Sequence, residues 1–105
     1  MNTDGMYEAT MVLVRNLREY PAEWHDYVKA FLSRIMAQFL NDGISRDDKD
    51  CNEYACNCLE AMQDCNIKPS IDSLISDLEY FSDRWSWERV MWIMELSRIV
   101  RDSEE

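Results

Sequence analysis

Apolar residues recur at intervals of three and four along almost the whole chain, a period typical of amphipathic α-helices. Turn-forming residues are scarce, because the 105 residues include only two glycines and two prolines. An all-β sandwich needs turn residues much more often than this. With 47% hydrophobic residues, the chain can build a core despite its high charge. The sequence therefore predicts an all-α fold made of a few long helices.

The breaks in this pattern predict a compact bundle of about five helices. They are expected over residues 4–19, 21–41, 45–66, 70–81 and 83–101. Pro21 suits a helix start, and the Asn-Asp-Gly run at residues 41–43 suits a helix stop. Ser70 is expected to cap the fourth helix, and Ser82 or Asp83 the fifth. Because the connections are short, we expect one helical domain over the whole chain, with no linker and no transmembrane segment.

Negative charge is concentrated in the middle of the chain. The formal net charge is −10, and residues 41–83 contribute −8 of it through eleven acidic and three basic residues. On the third predicted helix, the acidic side lies opposite the apolar side. The acidic residues expected to bind a partner are Asp47, Asp48, Asp50, Glu53, Glu60 and Asp64. Such a surface attracts basic partners, whereas nucleic acids and anionic membranes would be repelled.

The last predicted helix has more apolar residues than one core-facing stripe can hold. The residues of one face are Trp85, Trp92, Leu96 and Ile99, and those of a nearly opposite face are Trp87, Val90, Met91 and Met94. Two explanations remain open at this point. The helix is either central and covered by the others, or it presents its second face to a partner or to a second copy of the chain.

The four cysteines do not have the spacing of a metal site. Cys51, Cys58 and Cys65 are seven residues apart, so on one continuous helix they span about 21 Å and cannot reach one ion. We expect them to pack as small apolar groups, with Cys56 as the exposed thiol. The single histidine, His25, is not part of a metal-binding or catalytic motif. The sequence therefore predicts no enzyme activity, no catalytic residue, no metal and no cofactor.

These features predict a cytoplasmic, non-enzymatic acidic inhibitor or binding protein. It would occlude a basic surface of a nucleic-acid-handling enzyme or effector complex and be of the anti-CRISPR, anti-restriction or toxin-immunity type, with nucleic-acid mimicry as one mode of binding. The alternative is a structural or regulatory helical module that homodimerises through its C-terminal tryptophan- and methionine-rich helix. A third hypothesis, a metal- or redox-responsive module that uses the cysteines, is the least favoured by their spacing.

Overall fold

The computed structural model describes the backbone of residues 4–44, 48–66 and 68–104, and their side chains except those of residues 4, 48–52 and 104. All regular structure in these ranges is helical, as the sequence predicts. A short 3-10 turn, Pro21–Glu23, precedes the second helix. The α-helices are α1 (Asp4–Glu19), α2 (Trp24–Asn41), α3 (Asp48–Asp64), α4 (Ile71–Phe81) and α5 (Trp87–Glu104).

The C-terminal helix α5 is the central element of the bundle. It contacts α2, α3 and α4, while α1 packs on α2 and α4 at the periphery. Its residues Val90, Ile93 and Leu96 are completely buried. The core around α5 also includes the buried stripe of α2, whose members are Trp24, Val28, Phe31, Leu32, Ile35 and Phe39. The apolar surplus noticed in the sequence is thus largely used inside the chain.

The helix ends agree with several of the predicted stop and start signals. Gly43 has a φ of 73°, which ends α2 in the conformation that glycine adopts readily. The hydroxyl of Ser70 accepts a hydrogen bond from the backbone N–H of Ser73 at 3.2 Å, so Ser70 caps α4 as expected. The third helix ends at Asp64, two residues earlier than predicted, and Asn66 follows it with a φ of 57°.

The start of the fifth helix was predicted four residues too early. Ser82 is used at the end of α4, where its hydroxyl donates to the carbonyl oxygen of Glu79 at 2.8 Å. Ser86 instead precedes α5, and its carbonyl accepts the first intrahelical bond, from the N–H of Val90 at 3.0 Å. Between the two helices, the side chain of Trp85 is inserted into the core and is 4% exposed. A helix beginning at Ser82 or Asp83 is therefore excluded.

Trp85 links this connection to α1 through a buried pair of hydrogen bonds. Its indole Nε1 donates to the hydroxyl of Thr10 at 2.9 Å, and that hydroxyl donates to the carbonyl oxygen of Met6 at 2.6 Å. Thr10 is fully buried. The Thr10 hydroxyl thus accepts from Nε1, the only polar atom of the Trp85 side chain. Without this acceptor, the indole would leave a donor unpaired in the core.

Truncation of α5 at its buried side should destabilise the protein far more than truncation at its exposed side. For Leu96→Ala we expect the free energy of unfolding to fall by about 2–5 kcal/mol, because the substitution leaves a cavity in the core. Met94→Ala, at a residue 38% exposed on the same helix, should cost less than about 1 kcal/mol. Urea denaturation followed by circular dichroism measures both losses, and equal losses would contradict a central α5.

Replacement of the Thr10 hydroxyl should also be costly, although the side-chain volume hardly changes. Thr10→Val leaves the Nε1 of Trp85 without its acceptor, so we expect a loss of about 1–3 kcal/mol in the free energy of unfolding. Thr10→Ser retains the hydroxyl and removes only a methyl group. If the hydrogen bond matters, the valine variant will be the less stable of the two in the same denaturation assay.

Candidate acidic interface

The outer side of α3 presents exposed carboxylates along the helix. Glu53, Glu60 and Asp64 are all exposed, at positions i, i+7 and i+11. From Asp50 to Asp64 the sequence contains no lysine, arginine or histidine. Asp48 and Asp50 belong to α3, but their side chains are outside the described part of the structure, and Asp47 lies outside the described residues altogether.

Among the side chains that the structure describes, no cation neutralises these three carboxylates. Within the described residues, the ion pairs involve other acidic groups, such as Glu79 with Arg18 at 2.7 Å and Asp83 with Arg84 at 3.3 Å. Glu53, Glu60 and Asp64 form no ion pair with any of the described side chains. Their charge is therefore directed to solvent, where it can attract a basic partner.

The inner side of α3 packs against the core through a narrow apolar strip. Ala55 is buried, and it is the only fully buried side chain among those described in α3. The half-buried side chains of α3 that pack against the core are Tyr54, Cys58, Leu59 and Met62. This arrangement fixes the opposite, acidic side of the helix toward solvent.

A small polar cluster lies where α3, α4 and α5 approach one another. The indole Nε1 of Trp92 donates to Oδ2 of Asp77 at 2.7 Å. Burial raises the pKa of Asp77, although the hydrogen bond from Trp92 opposes this shift. Burial, reinforced by the charge of Asp77, raises the pKa of the Cys58 thiol, although the neighbouring Tyr54 hydroxyl opposes this shift. Cys58 is thus a protonated, weakly nucleophilic thiol at neutral pH.

The cysteines of α3 do not all lie on its inner side. Cys58 is half-buried, as predicted, and Cys56 is exposed. Cys65 is exposed as well, contrary to the prediction, because α3 ends at Asp64 and the chain turns away from the helix there. The side chain of Cys51 lies outside the described part of the structure. A search of the described residues finds no group of three histidine, cysteine or acidic side chains placed to hold a metal ion.

Most of the second apolar face of α5 is inside the chain. Trp87 is 6% exposed and Val90 is completely buried, so neither can contact a partner in this conformation. The Trp87 ring packs on Phe39 with centroids 5.2 Å apart, and its Nε1 donates to the carbonyl oxygen of Ile44 at 3.3 Å. Met91 is half-buried and Met94 is exposed. Of the four residues expected to form a partner or dimer surface, only Met94 is largely available.

Sequence reasoning missed two polar features of the structure. The pairing of Asp77 with Trp92 joins residues on different helices, and nothing in their spacing indicates it. The buried hydroxyl of Ser97 on α5 has no hydrogen-bond partner within the described part of the chain. A serine among the apolar residues of a central helix was the available signal, because such a hydroxyl requires a partner.

Comparison with known proteins identifies no relative. No family model matches the chain, and no curated protein or solved structure is significantly similar to it. None of the helices in the described ranges has both the length and the apolar character required to cross a bilayer.

Conversion of Asp77 to asparagine should stabilise the protein in a pH-dependent manner. The raised pKa means that folding favours the protonated carboxyl, so the stability this group contributes is fully present below its unfolded value of 3.8 and declines as pH rises through the folded pKa. Asp77→Asn keeps an acceptor for Trp92 but cannot ionise. We therefore expect its advantage in unfolding free energy to be larger at about pH 7 than at about pH 4.

Glu60→Gln is the matched control, because it removes one negative charge at an exposed site on α3. The change in unfolding free energy caused by Glu60→Gln should differ less between the two pH values than the change caused by Asp77→Asn. Urea denaturation at both pH values measures the difference, and an Asp77→Asn variant that is less stable at neutral pH would contradict the assignment.

Proposed function

We propose that this protein is a non-enzymatic inhibitor that docks the acidic side of α3 onto a basic surface of a nucleic-acid-handling enzyme or effector complex. The observation that supports the proposal is a row of exposed carboxylates that form no ion pair with any described side chain, namely Glu53, Glu60 and Asp64. A basic groove that normally contacts phosphates would accept this row in place of nucleic acid. Binding then inhibits by occlusion and requires no chemistry on the acidic protein.

The spacing of the carboxylates supports nucleic-acid mimicry over a diffuse charge effect. At 1.5 Å per residue, the axial offsets are about 10 Å from Glu53 to Glu60 and about 6 Å from Glu60 to Asp64. The three carboxylates therefore form one row of negative charge along a single side of a rigid helix. A basic groove that follows a line of phosphates presents its cations in a similar row, so it can contact this row directly.

The overall charge supports a protein partner and a cytoplasmic site of action. With a net charge of −10, the chain repels nucleic acid but associates rapidly with a basic protein surface. The exposed Cys56 and Cys65 are free thiols, which suits a reducing compartment. The alternative, a module that dimerises through α5, has less support because Trp87 and Val90 lie inside the chain.

Reversal of the α3 charges should abolish partner binding without unfolding the protein. We expect the triple variant Glu53→Lys, Glu60→Lys and Asp64→Lys to bind at least about tenfold more weakly, because attraction becomes repulsion at the contact. The control carries Glu8→Lys, Glu19→Lys and Asp26→Lys, three exposed positions on α1 and α2 with the same change in net charge. Circular dichroism must show that both variants remain helical.

The measurement has two stages. The tagged protein first captures its partner from the native host at about 50 mM salt, and a wash at about 500 mM should release an electrostatically held partner. The purified partner is then tested for binding to nucleic acid in competition with each variant. Competition by the unmodified protein and the control, but not by the α3 variant, supports the proposal. Equal competition by both variants, or a partner without nucleic-acid binding, contradicts it.

A further inference from the structure

A groove with an apolar floor lies between α2 and α5, away from α3. Its volume is about 430 Å³, which is within the range of small-molecule sites. The apolar lining consists of Val28, Leu32 and Met36 from α2 and Met94 from α5. Val28 and Leu32 are buried beneath it, whereas Met94 is 38% exposed at its edge. Two methionines give the groove adaptable walls, because their side chains can move with little cost.

The rim of this groove is basic, although the protein as a whole is strongly acidic. Lys29, Arg98 and Arg101 line it, together with His25. Arg98 is engaged by carboxylates of its own helix, at 3.0 Å and 3.4 Å. Lys29 and Arg101 form no ion pair with any side chain that the structure describes. As far as the described side chains go, two cations thus lie unengaged on opposite sides of one apolar groove.

A buried hydroxyl gives a second and independent indication of a ligand. Ser97 lines the groove and is 6% exposed, and its Oγ has no hydrogen-bond partner within the described residues. A buried polar group without a partner is costly and therefore uncommon in native proteins. Ser97 and Arg101 are four residues apart on α5, so they lie on the same side of the helix. Methionine side chains rotate at little cost, so a rotamer change at Met94 would widen access to this hydroxyl for an acceptor on a ligand.

We propose that this groove binds a small amphipathic carboxylate of the fatty-acid type. The apolar chain lies over Val28 and Leu32, and the carboxylate is held by Lys29 and Arg101. The hydroxyl of Ser97 donates to the same carboxylate, which supplies its missing partner. This site is independent of the acidic side of α3, so either proposal can fail while the other holds.

The choice of probes separates this site from general apolar binding. Isothermal titration calorimetry is performed with decanoate, acetate and decyltrimethylammonium. An acidic protein that only offered apolar contact would prefer the cationic amphiphile. We expect saturable binding of one decanoate per chain, with acetate and decyltrimethylammonium each at least about tenfold weaker, because one lacks the chain and the other has the wrong charge.

Two sets of variants test the residues of the groove. Lys29→Met with Arg101→Met should weaken decanoate binding about tenfold, while Arg15→Met with Lys68→Met, a control pair of exposed cations elsewhere, should leave it unchanged. Ser97→Ala should weaken binding about threefold without loss of folding stability, because it removes a hydroxyl that has no partner in the ligand-free chain. A purely structural serine would show the opposite combination.

Three results would overturn the proposal. The first is preference for decyltrimethylammonium over decanoate, and the second is an equal effect of the two double variants. The third is the absence of saturable decanoate binding, and it can be accompanied by a dimer in sedimentation equilibrium that the Lys29→Met and Arg101→Met variant converts to a monomer. That last result would assign the groove to a second copy of the chain.

Discussion

Burial of α5 on nearly all sides is the constraint on which the rest of this fold depends. A helix with apolar residues on two opposite faces cannot lie at the surface of a monomer unless one face is left open to solvent. Here α2, α3 and α4 surround it, and Val90, Ile93 and Leu96 lose all contact with water. The positions of the other helices follow, because each must bury its single apolar stripe against α5 or against a neighbour that already does.

Tryptophan side chains add direction to this apolar packing. Trp85, in the connection before α5, donates its indole N–H to the hydroxyl of Thr10 in α1. Trp92 in α5 donates its indole N–H to the carboxylate of Asp77 in α4. The indole N–H of Trp87 donates to the carbonyl oxygen of Ile44, just beyond the end of α2. Apolar contact alone tolerates rotation and sliding of helices, whereas a buried donor requires an acceptor at one place. These bonds therefore select one relative arrangement among several that bury similar area.

The period of the sequence was sufficient to predict the helices and the exposure of Glu53, Glu60 and Asp64, because helical geometry alone sets which residues share a side. The local N-cap signal did not locate the start of α5, because more than one serine precedes this helix. Ser82 and Ser86 both suit an N-cap, and the burial of Trp85 decides between them. The groove beside Ser97 was not predictable either, because it exists only once α2 and α5 pack at a particular angle.

The narrow apolar strip on the inner side of α3 determines how firmly this helix, and the acidic side it carries, is attached to the bundle. With Ala55 as its one fully buried side chain among those described, α3 has fewer fully buried side chains in this part of the chain than α5, so we expect it to open more readily than the central helix. Mutual repulsion among its exposed carboxylates weakens the helix itself, whether or not it is attached. A basic partner that neutralises them would bind only the attached form, and would therefore slow amide hydrogen exchange along the whole helix. Partner binding and the attachment of α3 to the bundle would then be coupled in one equilibrium.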